Sequence, residues 1–176
     1  MRGKFYINIM KRAAGVLLVA GTLLTGGCGV YSFTGASIPS EAKTLSVGYF
    51  RNRAASVQPT LSSVFTDYLR EYLSNQSGLP VVEGFADLQF SGSITGYTVT
   101  PQSIQGNDQA ALNRLTITVQ VKYVNRFDSK FSFTQNFSRY RDYDARLSLS
   151  SVESGLIQEI TEELVDDIYQ RAFVNW

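Results

Sequence analysis

Asn113-Arg-Leu-Thr-Ile-Thr-Val-Gln-Val-Lys-Tyr123 alternates without a break, with Leu115, Ile117, Val119, Val121 and Tyr123 set against Thr116, Thr118, Gln120 and Lys122. A period of two is the signature of a strand with one apolar and one polar face. On its N-terminal side, residues 87–98 repeat the pattern: Leu88, Phe90 and Ile94 face one way and Gln89, Ser91, Ser93 and Thr95 the other. Gly96 then permits a change of phase before Tyr97 and Val99, as a bulge does. Residues 100–111 read as a loop. On the C-terminal side Phe131, Phe133 and Phe137 alternate with Ser132, Thr134, Asn136 and Ser138, a further strand reached by a turn near Asp128-Ser129.

The flanks of this strand block supply one more strand and two helices. Thr44 to Phe50 alternates, with Leu45, Val47 and Tyr49 on one side. Pro59 suits a first helical position, and Leu61, Val64, Phe65, Tyr68, Leu69, Tyr72 and Leu73 then recur at helical spacing until Gly78. Ser62 and Thr66 fall on the opposite, polar side. The last helix begins at Ser150, a capping residue with Glu153 three positions on, and Val152, Leu156, Ile157, Ile160, Leu164, Ile168 and Phe173 form its stripe. The order β-α-β-β-β-α implies an α+β two-layer sandwich, an about four-stranded, mainly antiparallel sheet with two helices on one face.

Composition narrows the chemistry. There is no histidine, and Cys28 is the one cysteine. Ser-His-Asp and Cys-His catalysis, the usual zinc sites and disulfides all need residues that are missing, so no metal, cofactor or enzymatic activity is expected. An acid-pair hydrolase stays formally open, although no spacing of carboxylates suggests one. Four of the sixteen basic residues (Arg2, Lys4, Lys11, Arg12) precede residue 13, and no acidic residue precedes Cys28. Residues 28–176 therefore carry twelve basic against fifteen acidic side chains, a net charge of −3. Such a balance does not suit bulk neutralisation of nucleic-acid phosphates.

The first residues read as a leader. A basic segment over residues 1–12 is followed by an apolar run over 13–25, then Gly26-Gly27-Cys28. The apolar run falls short of the roughly 20 residues that a membrane helix needs. Small residues directly before a cysteine resemble the lipobox of bacterial lipoproteins, with Thr25 standing where Leu is usual. That resemblance implies a signal peptide over residues 1–27 and a multiply acylated thiol at Cys28, palmitate included. Residues 28–43 then form a lipidated tether, and residues 44–176 a single domain. No acidic residue closely follows Cys28, so the expected location is the outer membrane, facing the periplasm.

Two helices cover one side of the sheet, and the other side must meet water or a partner. Its expected residues, Ser91, Ser93, Thr95, Thr116, Thr118, Gln120, Thr134 and Asn136, with Ser132 and Ser138, are polar and nearly uncharged, Lys122 being the main charge. Hydroxyls and amides exchange hydrogen bonds with another polar wall without stranding ions. They are also simply compatible with strands.

Several runs carry a family resemblance: Cys28-Gly-Val-Tyr-Ser-Phe33, Asp87-Leu-Gln-Phe-Ser-Gly-Ser-Ile-Thr-Gly-Tyr-Thr-Val-Thr-Pro101, the stretch 113–123 and Ala172-Phe-Val-Asn-Trp176. In this order and spacing they resemble LptE, the lipopolysaccharide-assembly lipoprotein family. The resemblance implies two helices on a four-stranded sheet, and a subunit that plugs the lumen of the LptD β-barrel, supports its assembly and helps insert lipopolysaccharide into the outer leaflet. The polar face would then be the barrel contact. Lipopolysaccharide binding through basic residues is also implied. Chemistry alone offers Arg51, Arg53, Arg114, Lys122, Arg126 and Lys130 as partners for lipid A phosphates; at any one position solvated or locally paired charge is the commoner reading. Arg139, Arg141 and Arg146 interleave with Asp142 and Asp144 and suggest internal pairing, while Glu159, Glu162, Glu163 and Asp166 are expected to face solvent. A competing reading is a free-standing periplasmic lipoprotein that binds lipid or glycan without a barrel.

Overall fold

The computed structural model describes residues 38–56, 58–102 and 111–174. The leader, Cys28, most of the loop expected at 100–111 and the terminal Asn175-Trp176 lie outside the described residues.

The alternating segments form one mixed sheet. Strand β3 (Leu88–Gln102) is central with β4 (Leu112–Asn125), and β5 (Phe133–Asp144) closes one edge; β3, β4 and β5 run antiparallel in sequence order. The other edge holds two short strands, β1 (Leu45–Val47) and β2 (Arg51–Asn52), both parallel to β3. The expected α+β sandwich is present, with five strands because the first is broken. Helices α1 (Leu61–Ser77) and α2 (Leu149–Phe173) pack on one face.

The break between β1 and β2 corrects the reading of residues 44–50 as one strand. After Val47 the chain leaves the ladder, and Phe50 rather than Tyr49 turns inward: Phe50 is fully buried and Tyr49 is 54% exposed. Helix α1 supplies the hydrogen bonds that the broken strand loses. Thr66 Oγ1 accepts from the Phe50 amide at 3.1 Å, and Ser62 Oγ accepts from the Asn52 amide at 3.0 Å. These two residues are therefore buried rather than on the outer side of the helix, since a buried backbone N–H needs a partner. Arg70 reaches back to the Val47 carbonyl at 3.1 Å, closing the same gap.

Both helix starts differ in detail from the sequence expectation. Helix α1 begins at Leu61 after Thr60, two residues past Pro59, and ends as expected at Gly78 in the left-handed conformation (φ 68°). Helix α2 begins at Leu149 with Ser148 as its cap residue, and the capping box does not form. Glu153 instead accepts a hydrogen bond from the Tyr97 hydroxyl, tying the helix to β3.

Between the layers lie Phe90, Ile94 and Leu88 of β3, the alternate residues 115–123 of β4, Phe65, Leu69 and Leu73 of α1, and Ile160, Leu164 and Ile168 of α2, all almost inaccessible. An aromatic cluster fills one end: Phe90 and Tyr123 ring centres are 4.7 Å apart, and Phe173 lies 5.9 Å from Tyr123.

Residues 38–43, assigned to the tether by sequence, are folded. Ala42 is buried in the core and bonds back to the Pro39 carbonyl. Asp87 Oδ2 accepts from the Lys43 and Thr44 amides and the Thr44 hydroxyl at 3.0–3.1 Å, while the Asp87 amide donates to Thr44 Oγ1. These bonds hold the Asp87 carboxyl below the usual carboxylate range.

Candidate functional site

The register decides which side chains share the uncovered face of the sheet. Ser91 pairs with Lys122, which pairs with Thr134; Ser93 pairs with Gln120, which pairs with Asn136. Gly96 pairs with Thr118, which pairs with Ser138, and Thr98 with Thr116 and Tyr140 complete the next row. Successive rows two residues apart point the same way, so the expected face is assembled across three strands. Thr118 Oγ1 and Ser138 Oγ are 2.9 Å apart, a cross-strand hydroxyl pair.

Two residues sit differently from the others in that set. Thr95 is the extra residue of the bulge, where the register shifts between Ile94 and Gly96, and its hydroxyl donates to the Thr118 carbonyl at 3.4 Å. Ser93 is only 8% exposed, because β2 adds Arg51 on its other flank. Ser132 lies in the turn before β5, not on the face; its hydroxyl accepts from the Asn125 amide at 3.0 Å.

The face is more charged at one end than the sequence suggested. β5 runs six residues beyond Ser138, and its further alternation brings Tyr140 and Asp142 onto this side. Arg114 forks onto Asp142, with bonds of 2.7 and 2.8 Å, and its guanidinium lies 3.7 Å from the Tyr140 ring centre. That fork holds the Asp142 carboxyl low and raises the Arg114 guanidinium. Tyr140, Asp142 and Thr98 are the residues the sequence reading missed; the signal was the continuing period of two after Ser138 for the first two and its resumption after Gly96 for Thr98.

The six basic candidates divide into three groups. Arg51 pairs in register with Ser93, and Lys122 lies between Ser91 and Thr134, so both belong to the open face; Arg53 follows Arg51 two residues on. Lys122 borders a hollow of about 260 Å³ that Ser46, Gly48, Gln89 and Ser91 also line. Arg114 is occupied by Asp142. Arg126 and Lys130 lie away from the face, in the β4–β5 connection, with the Arg126 guanidinium 3.9 Å from the Phe85 ring centre. Among the described residues no ion pair engages Arg51, Arg53, Lys122, Arg126 or Lys130.

The covered side of β5 handles its cations differently. Arg139 forks onto Asp167 with two bonds of 2.6 Å, and Arg141 bridges Glu159 at 2.8 Å and Glu163 at 2.6 Å. The local pairing expected for Arg139 and Arg141 is thus replaced by pairing across to α2, and only Arg146 bonds its neighbour Asp144. Of the helix acids expected to face solvent, Glu159 and Glu162 are exposed and Glu163 and Asp166 partly so; three of them also have partners on other elements, since Glu159 and Glu163 serve Arg141 and Asp166 accepts from the Tyr72 hydroxyl at 2.8 Å. Arg141 holds Glu163 below the usual carboxylate range. Among the described residues no group of three or more potential metal ligands comes together.

A sheet bearing hydroxyls and amides on one face and two helices on the other is the frame on which the comparisons bear. The family model described as LptE, lipopolysaccharide-assembly, matches residues 42–172. The chain belongs to the LptE family. The match takes in all five strands and nearly all of α2, so the LptE assignment covers the whole open face. No curated protein sequence matches significantly. Among solved structures, the hypothetical protein CT253 from Chlamydia trachomatis is 9% identical, with TM-score 0.52, covering 76% of this chain and 99% of that one. The neuraminyllactose-binding hemagglutinin homolog from Helicobacter pylori is 10% identical, with TM-score 0.50, covering 80% and 88%. The rare lipoprotein B from Shewanella oneidensis is 18% identical, with TM-score 0.49, covering 73% and 92%. At these identities the first two show a shared fold.

Proposed function

We propose that this LptE-family chain is an outer-membrane lipoprotein anchored through Cys28, and that its open sheet face seats against the polar lumen of an LptD-type β-barrel. There it supports assembly of the barrel and the passage of lipopolysaccharide to the outer leaflet, acting by contact and not by turnover. The observation that carries the reading is the three-strand field of hydroxyls and amides centred on Thr118, Gln120, Thr134 and Asn136. Barrel interiors are polar, and neutral hydrogen-bonding groups meet such a wall without the desolvation cost of buried ions. The ionic groups of β5 on the other side are spent within the subunit, on α2.

For lipopolysaccharide the candidates of choice are Arg51, Arg53 and Lys122, which share the face or its edge and are free of ion pairs among the described residues. Arg114 is the weakest of the six, since phosphate would compete with a forked carboxylate 2.7 Å away. The test of the barrel contact is the Thr118→Glu/Thr134→Glu double variant. Both positions tolerate polar side chains in the isolated subunit, whereas two carboxylates against a polar wall are desolvated without partners. Recovery of the barrel with the tagged variant should fall steeply at unchanged subunit level and unchanged melting. Full recovery of the barrel would refute the assignment of this face.

A further inference from the structure

Three of the eight large apolar side chains left exposed among the described residues, Phe85 (73%), Phe127 (47%) and Phe131 (39%), belong to one end of the sandwich. The pairing of Leu88 with Asn125 and of Tyr123 with Phe133 brings the loop before β3 and the β4–β5 connection to that end. The chain enters the fold there too. Ile38 and Pro39 line a hollow of about 490 Å³ together with Phe127 and Phe131, and the Asp87 clamp on Lys43 and Thr44 fixes the entry beside them. The Arg126 amide bonds the Asp87 carbonyl in the same cluster. Glu41 and Glu83 are exposed at this end as well, so its distinguishing property is the rings, with Arg126, Lys130 and Lys43 among them, and not net charge.

We infer that this end is a membrane-docking surface, whose three phenylalanine rings enter the headgroup region of the leaflet that holds the lipid anchor. The inference rests on the anchoring of Cys28 proposed above. Ile38 lies ten residue steps after Cys28, a reach of at most about 35 Å when extended, so an acylated thiol keeps the chain entry, and the rings around it, close to the bilayer. Exposed aromatic rings interleaved with cations suit the interface, where the ring is buried and the charge meets phosphate. Rings on two separate loops around the tether are arranged to enter a fluid surface together.

The test uses the acylated protein reconstituted into vesicles of phosphatidylethanolamine and phosphatidylglycerol, with an environment-sensitive label on Ser129→Cys or, at the opposite end, on Ser150→Cys. Nitroxide lipids labelled near the headgroup should quench the label at 129 several times more strongly than that at 150. Phe127→Ser/Phe131→Ser should bring the two values together at unchanged melting. Equal quenching at both ends in the parent overturns the inference, as does the same spectral shift at 129 for the unacylated chain in buffer free of lipid and detergent, which would assign the rings to a contact between copies of this chain. Mass spectrometry of the same sample separates the two readings. If Cys28 is bare, anchoring fails; sedimentation of the bare chain with vesicles, lost in the double variant, still supports docking, and no sedimentation refutes it.

Discussion

Replacing Gly92 by alanine should cost this domain about 3 kcal/mol, toward the upper end of what overpacking costs. Gly92 sits in the middle of β3, opposite Val121. A methyl carbon there would lie 2.6 Å from Cε1 of Phe50 and well inside contact with the Gln120 carbonyl oxygen. Carbon atoms pack at about 3.5–4.0 Å, so the shortfall is roughly 1 Å. The Phe50 ring cannot absorb it: it is fully buried, and its centre is 5.1 Å from that of Phe65 in an edge-on contact. The carbonyl belongs to the β4 backbone, so relief requires the strands to move apart and lengthens ladder bonds in the rows that present Ser91, Ser93 and Gln120.

Urea unfolding of the parent and the variant measures this. With a slope of about 2 kcal/mol per molar urea, the midpoint should drop by roughly 1.5 M at unchanged slope. Gly96→Ala supplies the internal contrast. Its methyl would meet Thr118 Cβ and Oγ1 at 3.1 and 3.2 Å and the Thr118 amide nitrogen at 3.7 Å, a tight fit that a small shift of one side chain relieves, without the backbone and ring overlap found at Gly92; a loss of about 1 kcal/mol is expected. A Gly92→Ala midpoint within about 0.3 M of the parent, at most about a fifth of the expected shift, or no larger a loss than Gly96→Ala, would refute the close-approach argument.

Acid should weaken the domain. Asp87, Asp142 and Glu163 are held below their ordinary values, and Asp144 is pushed down to about 2 by Arg146. A carboxyl whose folded pKa is depressed contributes stability above its unfolded value, near 4, and loses it as pH falls through the folded value. Melting temperature should thus be level from pH 7 to about 5 and fall steadily from about 4 to 2; a level profile down to 2.5 would contradict the assigned carboxylate partners. At the other extreme, burial and the bond to Asp166 push Tyr72 up to about 12, so its contribution is full below about pH 10 and is lost as pH climbs toward 12. Tyr72→Phe should remove that part of the alkaline decline in the same melts. The Tyr123 hydroxyl is buried with no partner among the described residues, so Tyr123→Phe should leave stability unchanged or raise it by up to about 1 kcal/mol in urea titration.

The period of two in β3, β4 and β5 was readable because each strand has one face in the core and one outside, and the stripe of α2 was readable for the same reason. What the sequence concealed is how elements meet. Nothing in Thr44 to Phe50 shows that Phe50 outcompetes Tyr49 for the core; that follows from the hydroxyls of Ser62 and Thr66, which α1 brings to the backbone of a strand too short to satisfy itself. Glu153 looked like half of a capping box, yet Tyr97, 56 residues away, takes it. Arg139 and Arg141 looked matched to Asp142 and Asp144 by proximity in the chain. In a strand, neighbours point to opposite faces, so Arg141 is carried to Glu159 and Glu163 while Asp142 is carried to Arg114.

That last distribution bears on how the two proposed surfaces work together. The open face and the ringed end meet at right angles, since one is a flank of the strands and the other is their end. The 14 residues of β4 extend about 48 Å at the rise of an antiparallel strand, longer than the roughly 30 Å hydrocarbon core. With the rings at the anchoring leaflet, the strands therefore have the length to run through a barrel lumen past the opposite leaflet. Across β3, β4 and β5 the Arg114–Asp142 fork then lies toward the far end of the face and Lys122 toward the anchored end, with the neutral rows of Thr118 and Gln120 between them and Arg51 at the β2 edge of the Gln120 row. Neutral rows at mid-depth on the three long strands, with cations kept to the sheet edge and toward the two ends, are the arrangement that a polar but confined wall favours, because ions lose most hydration where water is scarcest. The barrel-contact reading accordingly requires position as well as chemistry. Glutamate at Thr118 should impair recovery of the barrel more than glutamate at Thr98, one row nearer the end, and the reverse order would sink it.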